Sequence, residues 1–150
     1  MADLTTTVTE SVVLNGALRG NTNSVTTTGI NNVFERIVTC INGNVTTVAV
    51  FDTSPYTSAG AIDVQNARYI RITNLDADAW IEVAVVTTAS NYTVLLTPGN
   101  SHILAQGEAV ALAEEDTSPS FGTLENLASI QVQPVGVSFD TQISIIVAAL

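Results

Sequence analysis

Val137, Phe139, Thr141, Ile143, Ile145 and Val147 occupy every second position of the C-terminal run, with Ser138, Asp140, Gln142 and Ser144 between them. Successive side chains of a strand point to opposite faces, so this spacing dictates a strand with one buried and one wet side. Towards the chain end, at Ile146, both sides become apolar. The same period of two recurs in Thr6–Leu14, Tyr69–Thr73, Ala79–Thr87 and Ser129–Gln133, while Val33–Ile41 and Val45–Asp52 are rich in β-branched residues. Turn chemistry separates these runs at Asn15-Gly16, Asn42-Gly43-Asn44, Ser54-Pro55 through Gly60, Asn74 to Asp78, Pro98-Gly99-Asn100, Ser118-Pro119 and Pro134-Val135-Gly136.

Short strands punctuated in this way predict an all-β chain, an antiparallel β-sandwich, jelly-roll-like, of about eight to ten short strands. The length of 150 residues suits a single domain with a real core. A Thr-rich N-terminal segment, about residues 1–14, is expected to pair with a neighbour's sheet edge. Helix is expected to stay below about 15%, far under the ordinary share. Gly107–Glu115 contains helix-forming Ala and Glu, but Val110 and Leu112 alternate, so it is read as a strand. Thr123–Leu127 can form one helical turn.

Charge narrows the partners. Charged residues are 12% of the chain, about half the ~25% of an ordinary soluble domain. There is no Lys, and Arg19, Arg36, Arg68 and Arg71 face fourteen acids, for a net charge of −10. Nucleic acid and anionic lipid both demand a basic footprint, so neither is expected as a partner. No window approaches ~18 consecutive apolar residues, and the start lacks the basic and apolar stretches of a secretory signal, so neither a membrane helix nor a signal peptide is expected. The polar balance comes from Thr, Asn, Ser and Gln. Such a surface suits a protein packed against copies of itself or a scaffold.

Residues with chemical potential are few. His102 follows a Pro-Gly turn beside Ser101, but strand neighbours face opposite ways and no nucleophile elbow is present. It is read as a surface or interface histidine. Cys40 alternates with Val38 and reads as a small buried hydrophobe. Asp76 and Asp78 precede Trp80 at once and lack the Gly and terminal Glu of a calcium loop, so a tight polar turn is expected. Glu114-Glu115-Asp116 reads as a solvated loop. Trp80, Tyr56, Tyr69 and Tyr92 are scattered, which favours packing over a carbohydrate platform. The Asn-x-Thr triplets at Asn44 and Asn91 are read as chance. No catalytic residue, no cofactor-binding residue and no metal ligand is expected, and no enzyme.

Several segments together carry a resemblance: MADLTTTVTESVVLNGALRG, NNVFERIVTC, ARYIRITNLDADAWIEVAVVTTASNYTVLLTPGNSHIL and SPSFGTLENLASIQVQP. The chain resembles small virion structural proteins of tailed phages that infect marine cyanobacteria and related bacteria. The most recognisable part is a strand ending in Ile-Thr-Asn, an acidic turn, another strand, then a hydrophobic-Pro-Gly-x-Ser-His segment. The resemblance implies a capsid decoration (cement) protein, a homotrimer on the major capsid protein lattice of the virion, assembled in the host cytoplasm. A tail, neck or head-fibre component and a carbohydrate-binding sandwich module are the alternatives. It carries over no functional residues. The apolar chain end supplies candidate subunit-interface residues, Ile145, Ile146, Val147 and Leu150, with Ile146 on the face that needs cover from another element or copy.

Overall fold

The computed structural model describes residues 1–54, 61–113, 118 and 121–150. Tyr56, most of the turn expected at 54–60, the acidic run 114–116 and Pro119 lie outside the described residues. Thirteen strands and no helix occur among the described residues. Eight form a sandwich: β5 (Asn32–Cys40), β6 (Thr46–Asp52), β8 (Ala67–Asn74), β9 (Trp80–Thr87), β10 (Asn91–Leu96), β11 (Ser101–Leu104), β12 (Leu127–Val135) and β13 (Thr141–Ala149). One sheet runs β11-β8-β13-β5 and the other β10-β9-β12-β6, with β7 (Ile62–Asp63) added in parallel to β6. Consecutive strands largely cross between sheets, and β12 and β13 each insert between an early and a middle strand. This is the interleaving of a jelly roll.

Alternation sets which side is core. Ile70 and Ile72 of β8 and Ile143, Ile145 and Val147 of β13 meet Ile81, Val83 and Val85 of β9 and Ile130 and Val132 of β12 in one apolar cluster. Full burial of a Val or Ile side chain contributes about 1.5–3 kcal/mol, so this interdigitated layer dominates the stability.

The remaining strands are not part of the sandwich. β1 (Ala2–Thr9) pairs with β4 (Thr22–Ile30), and β2 (Val12–Leu14) with β3 (Ala17–Arg19). Thr6–Leu14 is therefore half of a separate ribbon rather than a sandwich strand. Its alternation is mostly hydroxyl against hydroxyl and offers the core little to bury. Within one chain the N-terminal segment, expected to pair with a neighbour's sheet edge, pairs with its own β4.

Three local expectations are corrected. The C-terminal strand starts at Thr141 rather than Val137: Gly136 has a positive φ of 70° and Asp140 accepts from Asn42 N–H at 2.9 Å, which holds residues 136–140 as a loop with Phe139 exposed. Gly107–Glu115 is not a strand over its described part. Gly107 packs so closely on residue 64 that a Cβ would lie 2.8 Å from the Val64 carbonyl oxygen, and Ala109 has a positive φ of 51°. That close approach pulls the segment off any ladder. Thr123–Leu127 forms no helical turn, because Glu125 is tied to the 110–111 backbone, its N–H donating to the Ala111 carbonyl at 2.8 Å and its carbonyl accepting from Val110 N–H at 2.7 Å.

Four loops, residues 41–45, 75–79, 97–100 and 136–140, gather at one end of the sandwich, and Asn74 ties that end together. Its amide donates to Ala79 O at 2.8 Å and Leu96 O at 3.2 Å, and its Oδ1 accepts from Asp76 N–H at 3.0 Å. Its backbone donates to Asn100 O and accepts from Gly99 N–H. Asn74 is fully buried and fully satisfied. Replacing it with Ala orphans the buried Ala79 and Leu96 carbonyls and the half-buried Asp76 N–H, a loss of about 3 kcal/mol at the low end of roughly 1–3 kcal/mol per group. We expect Asn74→Ala to lower Tm by roughly 6–12 °C, and a drop under about 2 °C in a calorimetric scan would refute this role.

Candidate functional site

The feature that departs from a plain sandwich is the arm formed by residues 2–30. β4 runs into β5 through Ile30 and Asn31, so the arm leaves the sandwich at the end opposite the Asn74 loops. Asn31 N–H donates to Ala149 O at 3.0 Å, and Leu150 N–H donates to Asn66 O at 3.0 Å, which fastens the base. Beyond Ile30 almost every arm residue is exposed or half-exposed.

The two faces of the arm differ. Register pairs Thr5 with Thr26, Thr7 with Ser24 and Thr9 with Thr22. These hydroxyls bond in cross-strand pairs at 3.2, 2.8 and 3.3 Å. The opposite face carries Leu4, Thr6, Val8, Asn23, Val25 and Thr27. A joint follows. Glu10 N–H donates to Asn21 O at 2.8 Å, and Gly20, with φ of 107°, approaches so closely that a Cβ would lie 2.2 Å from the Glu10 carbonyl oxygen. The tip beyond it turns through Asn15 and Gly16, both with positive φ, as a two-residue hairpin demands. Val13 and Leu18 pair on one tip face at 70% and 72% exposure, and Leu14 and Val12 lie exposed on the other.

Beside the base of the arm is a groove of about 580 Å³ between the first half of β5, the β7 region and the chain end. Phe34, Ile62, Val147 and Leu150 supply its apolar lining, Asp63 and Arg36 its charges. The Arg36 guanidinium lies 4.6 Å from the Phe34 ring centroid.

The expected interface residues separate in the structure. Ile145 and Val147 point into the sandwich core, at 0% and 1% exposure, although Val147 also borders the groove. Ile146 sits half-buried on the outer face of its sheet, between its register partners Arg71 and Glu35. Leu150 keeps 38% of its surface and lines the groove. Of the four, Ile146 and Leu150 hold positions a partner can reach.

His102 is not a free surface residue. It is half-buried, its Nε2 is 3.1 Å from the Tyr92 hydroxyl, and the rings meet edge to face. Tyr92 and His102 belong to opposite sheets, so this contact closes the sandwich at its β10–β11 edge. Burial holds the His102 pKa below its ordinary value. Cys40 is a buried hydrophobe as expected, and burial pushes its thiol pKa up. Asp76 is a turn residue. Its Oδ1 accepts from Asp78 N–H and Ala79 N–H at 2.9 Å each, and these bonds hold its pKa low. Glu125 accepts from the Thr87 hydroxyl and from Ala89 N–H, which lowers its pKa in the same way. Trp80 is half-exposed at the start of β9, two residues before Glu82, which lines a hollow of about 140 Å³ with Thr93, Gln131, Gln133 and the apolar Val45, Ala84 and Val132. Compared with protein families, curated proteins and solved structures, the chain matches none of them.

Two outcomes follow from this geometry. Because the folded state favours neutral His102, its contact stabilises fully above the ordinary pKa of about 6.5, and this is lost as pH falls through the lower folded value. An NMR titration of this single histidine is expected to show a midpoint below about 6.5, and one above it contradicts the buried contact. Gly20→Ala is strained both in φ and by contact with backbone. Since the arm barely touches the sandwich, the variant should keep its melting temperature while protease cleavage near residues 10–21 rises. A large loss of Tm would mean that the arm supports the sandwich.

Proposed function

We propose that this protein is a structural component of a phage particle, a non-enzymatic capsid decoration protein that binds the major capsid protein lattice as a homotrimer. The observation that carries a structural role is the arm. An isolated two-stranded ribbon is marginal in water. Here one is extended through residues 2–30 and tipped with exposed Val12, Val13, Leu14 and Leu18. Freely diffusing proteins keep such apolar patches small, so a protein that carries one on a projecting arm is built for contact with other subunits. The weakly charged, Thr- and Asn-rich surface supports the same reading, since it can lie against a scaffold without burying unpaired charge. The phage setting rests on the sequence resemblance.

One observation favours a second reading. Trp80, on the same face of β9 as Glu82 and with Gln133 across the ladder from Glu82, offers the aromatic and hydrogen-bonding partners a sugar ring takes. A carbohydrate-binding module for host attachment would use that face.

Recombinant protein incubated with undecorated capsids is expected to co-sediment, and quantitative gels of virions from a producing culture are expected to show hundreds of copies. Tens of copies or fewer would move it to the tail, neck or head fibre. Glycan-array binding abolished by Trp80→Ala, with no capsid affinity, would replace the capsid reading by the second one.

A further inference from the structure

We infer that the arm tip of one copy seats in the groove at the arm base of a second copy and links copies head to tail, its two faces meeting opposite walls, Leu18 against Phe34 of β5 and Arg19 against Asp63 of β7. The link holds whether or not the protein sits on a capsid.

Reach decides whose tip can enter. From Ile30 to Gly16 the ribbon spans up to about 45 Å at ~3.3 Å per residue. The sandwich has the size of a domain with a radius of gyration of roughly 14 Å, so a straight arm extends beyond its own body. Asn31 and Asn32, at the arm's own base, line the groove. From Ile30 to the Gly20 joint the ribbon spans about 33 Å and the tip beyond it only about 13 Å, so even a tip folded back at the joint falls short of its own groove, and the tip that reaches a groove comes from another copy.

Chemistry matches the two surfaces. Residues 11–20 contain Arg19 and no acid, while the rest of the chain holds three arginines against fourteen acids. The tip is thus the one stretch of the arm drawn to another copy rather than repelled by it. At the receiving end, Asp63 lines the groove, and its register partner across the parallel pair is Asp52. Like charges set directly opposite each other oppose one another, and an incoming cation relieves this. Asp63 already accepts from Gln65 N–H at 2.9 Å and Asn66 Nδ2 at 2.7 Å, which fixes its carboxylate while leaving lone pairs for a guanidinium. Arg36 is occupied over Phe34. The apolar lining of Phe34, Ile62 and Leu150 is of the kind that Leu18 and Val13 need in order to leave water. A groove of this volume falls within the ~300–1,000 Å³ typical of binding sites, room for several side chains.

Each chain carries one tip and one groove, so the contact is heterologous, and a closing rotation makes a ring. The test uses full-length protein. Chains with Leu18→Cys are mixed with chains carrying Asn32→Cys at the groove wall, then oxidised mildly. Cys40 is buried and does not compete. The expected product is a covalent dimer of one chain of each kind, with no such product when Thr5→Cys, on the hydroxyl face, replaces Leu18→Cys. In parallel, Leu18→Asp is expected to weaken self-association at least tenfold in light scattering while leaving the circular dichroism unchanged. A wild-type protein that stays monomeric at millimolar concentration, an oligomer indifferent to Leu18→Asp, or the absence of the mixed disulfide would each overturn the inference.

Discussion

The buried amide of Asn74 sets the terms for the rest of the molecule. It stands at the end of a strand in one sheet and donates to Ala79 and Leu96, which belong to or border strands of the other sheet. A jelly roll has its two layers joined by loops at both ends, and apolar packing, being non-directional, does not by itself hold those loops in register. Here one fully satisfied polar node does so in a water-excluded site, where an unmatched group is costly and a matched one is specific. With one end locked, the other is left to carry the arm and the groove.

That division explains why the arm is made as it is. Outside the sandwich there is no core to supply hydrophobic stabilisation, so the ribbon relies on ladder bonds, cross-strand side-chain pairs and turn geometry. Paired Thr hydroxyls suit this role, because β-branched residues favour extended backbone and Thr–Thr pairs contribute roughly 0.2–1 kcal/mol each. The apolar residues are instead held back for the tip and one face. A ribbon stabilised mainly by its own core contacts would have used them inside.

How much of this was legible depended on how local each signal was. β13 could be read from Thr141 onward, since Ile143, Ile145 and Val147 alternate without a break, and the inward direction of Ile145 and Val147 follows from the same period; Val137 and Phe139 continue that period on paper but lie in the loop before the strand. The Asn15-Gly16 turn announced a hairpin. What the pattern did not tell was whether that hairpin joined the sandwich, because Thr occurs on both faces of the ribbon and blurs the apolar one. The groove draws on residues 31–36, 61–66 and 147–150, and Tyr92 meets His102 from the opposite sheet, so both exist only once the sheets are stacked. Asn74 looked like an ordinary polar turn residue. Its role needed Leu96 and Asn100, more than twenty positions away. The segment at Gly107 misled because alternation at Val110 and Leu112 says nothing of how closely Gly107 must approach Val64.

Scarcity of cations links the loops, the groove and the arm. With four arginines for fourteen acids, most carboxylates have no cationic partner to take. The structure gives several of them backbone N–H groups instead: Ser54 for Asp52, Gln65 for Asp63, Asp78 and Ala79 for Asp76, Asn42 for Asp140 and Ala89 for Glu125. Each such bond turns an acid into part of a turn, so the acids stabilise loop geometry rather than ion pairs. It also leaves the arginines to other contacts. Arg68 donates to backbone carbonyls, Arg36 lies over an aromatic ring, and Arg19 remains at the arm tip, where a cation meets the negative surface of any copy it reaches.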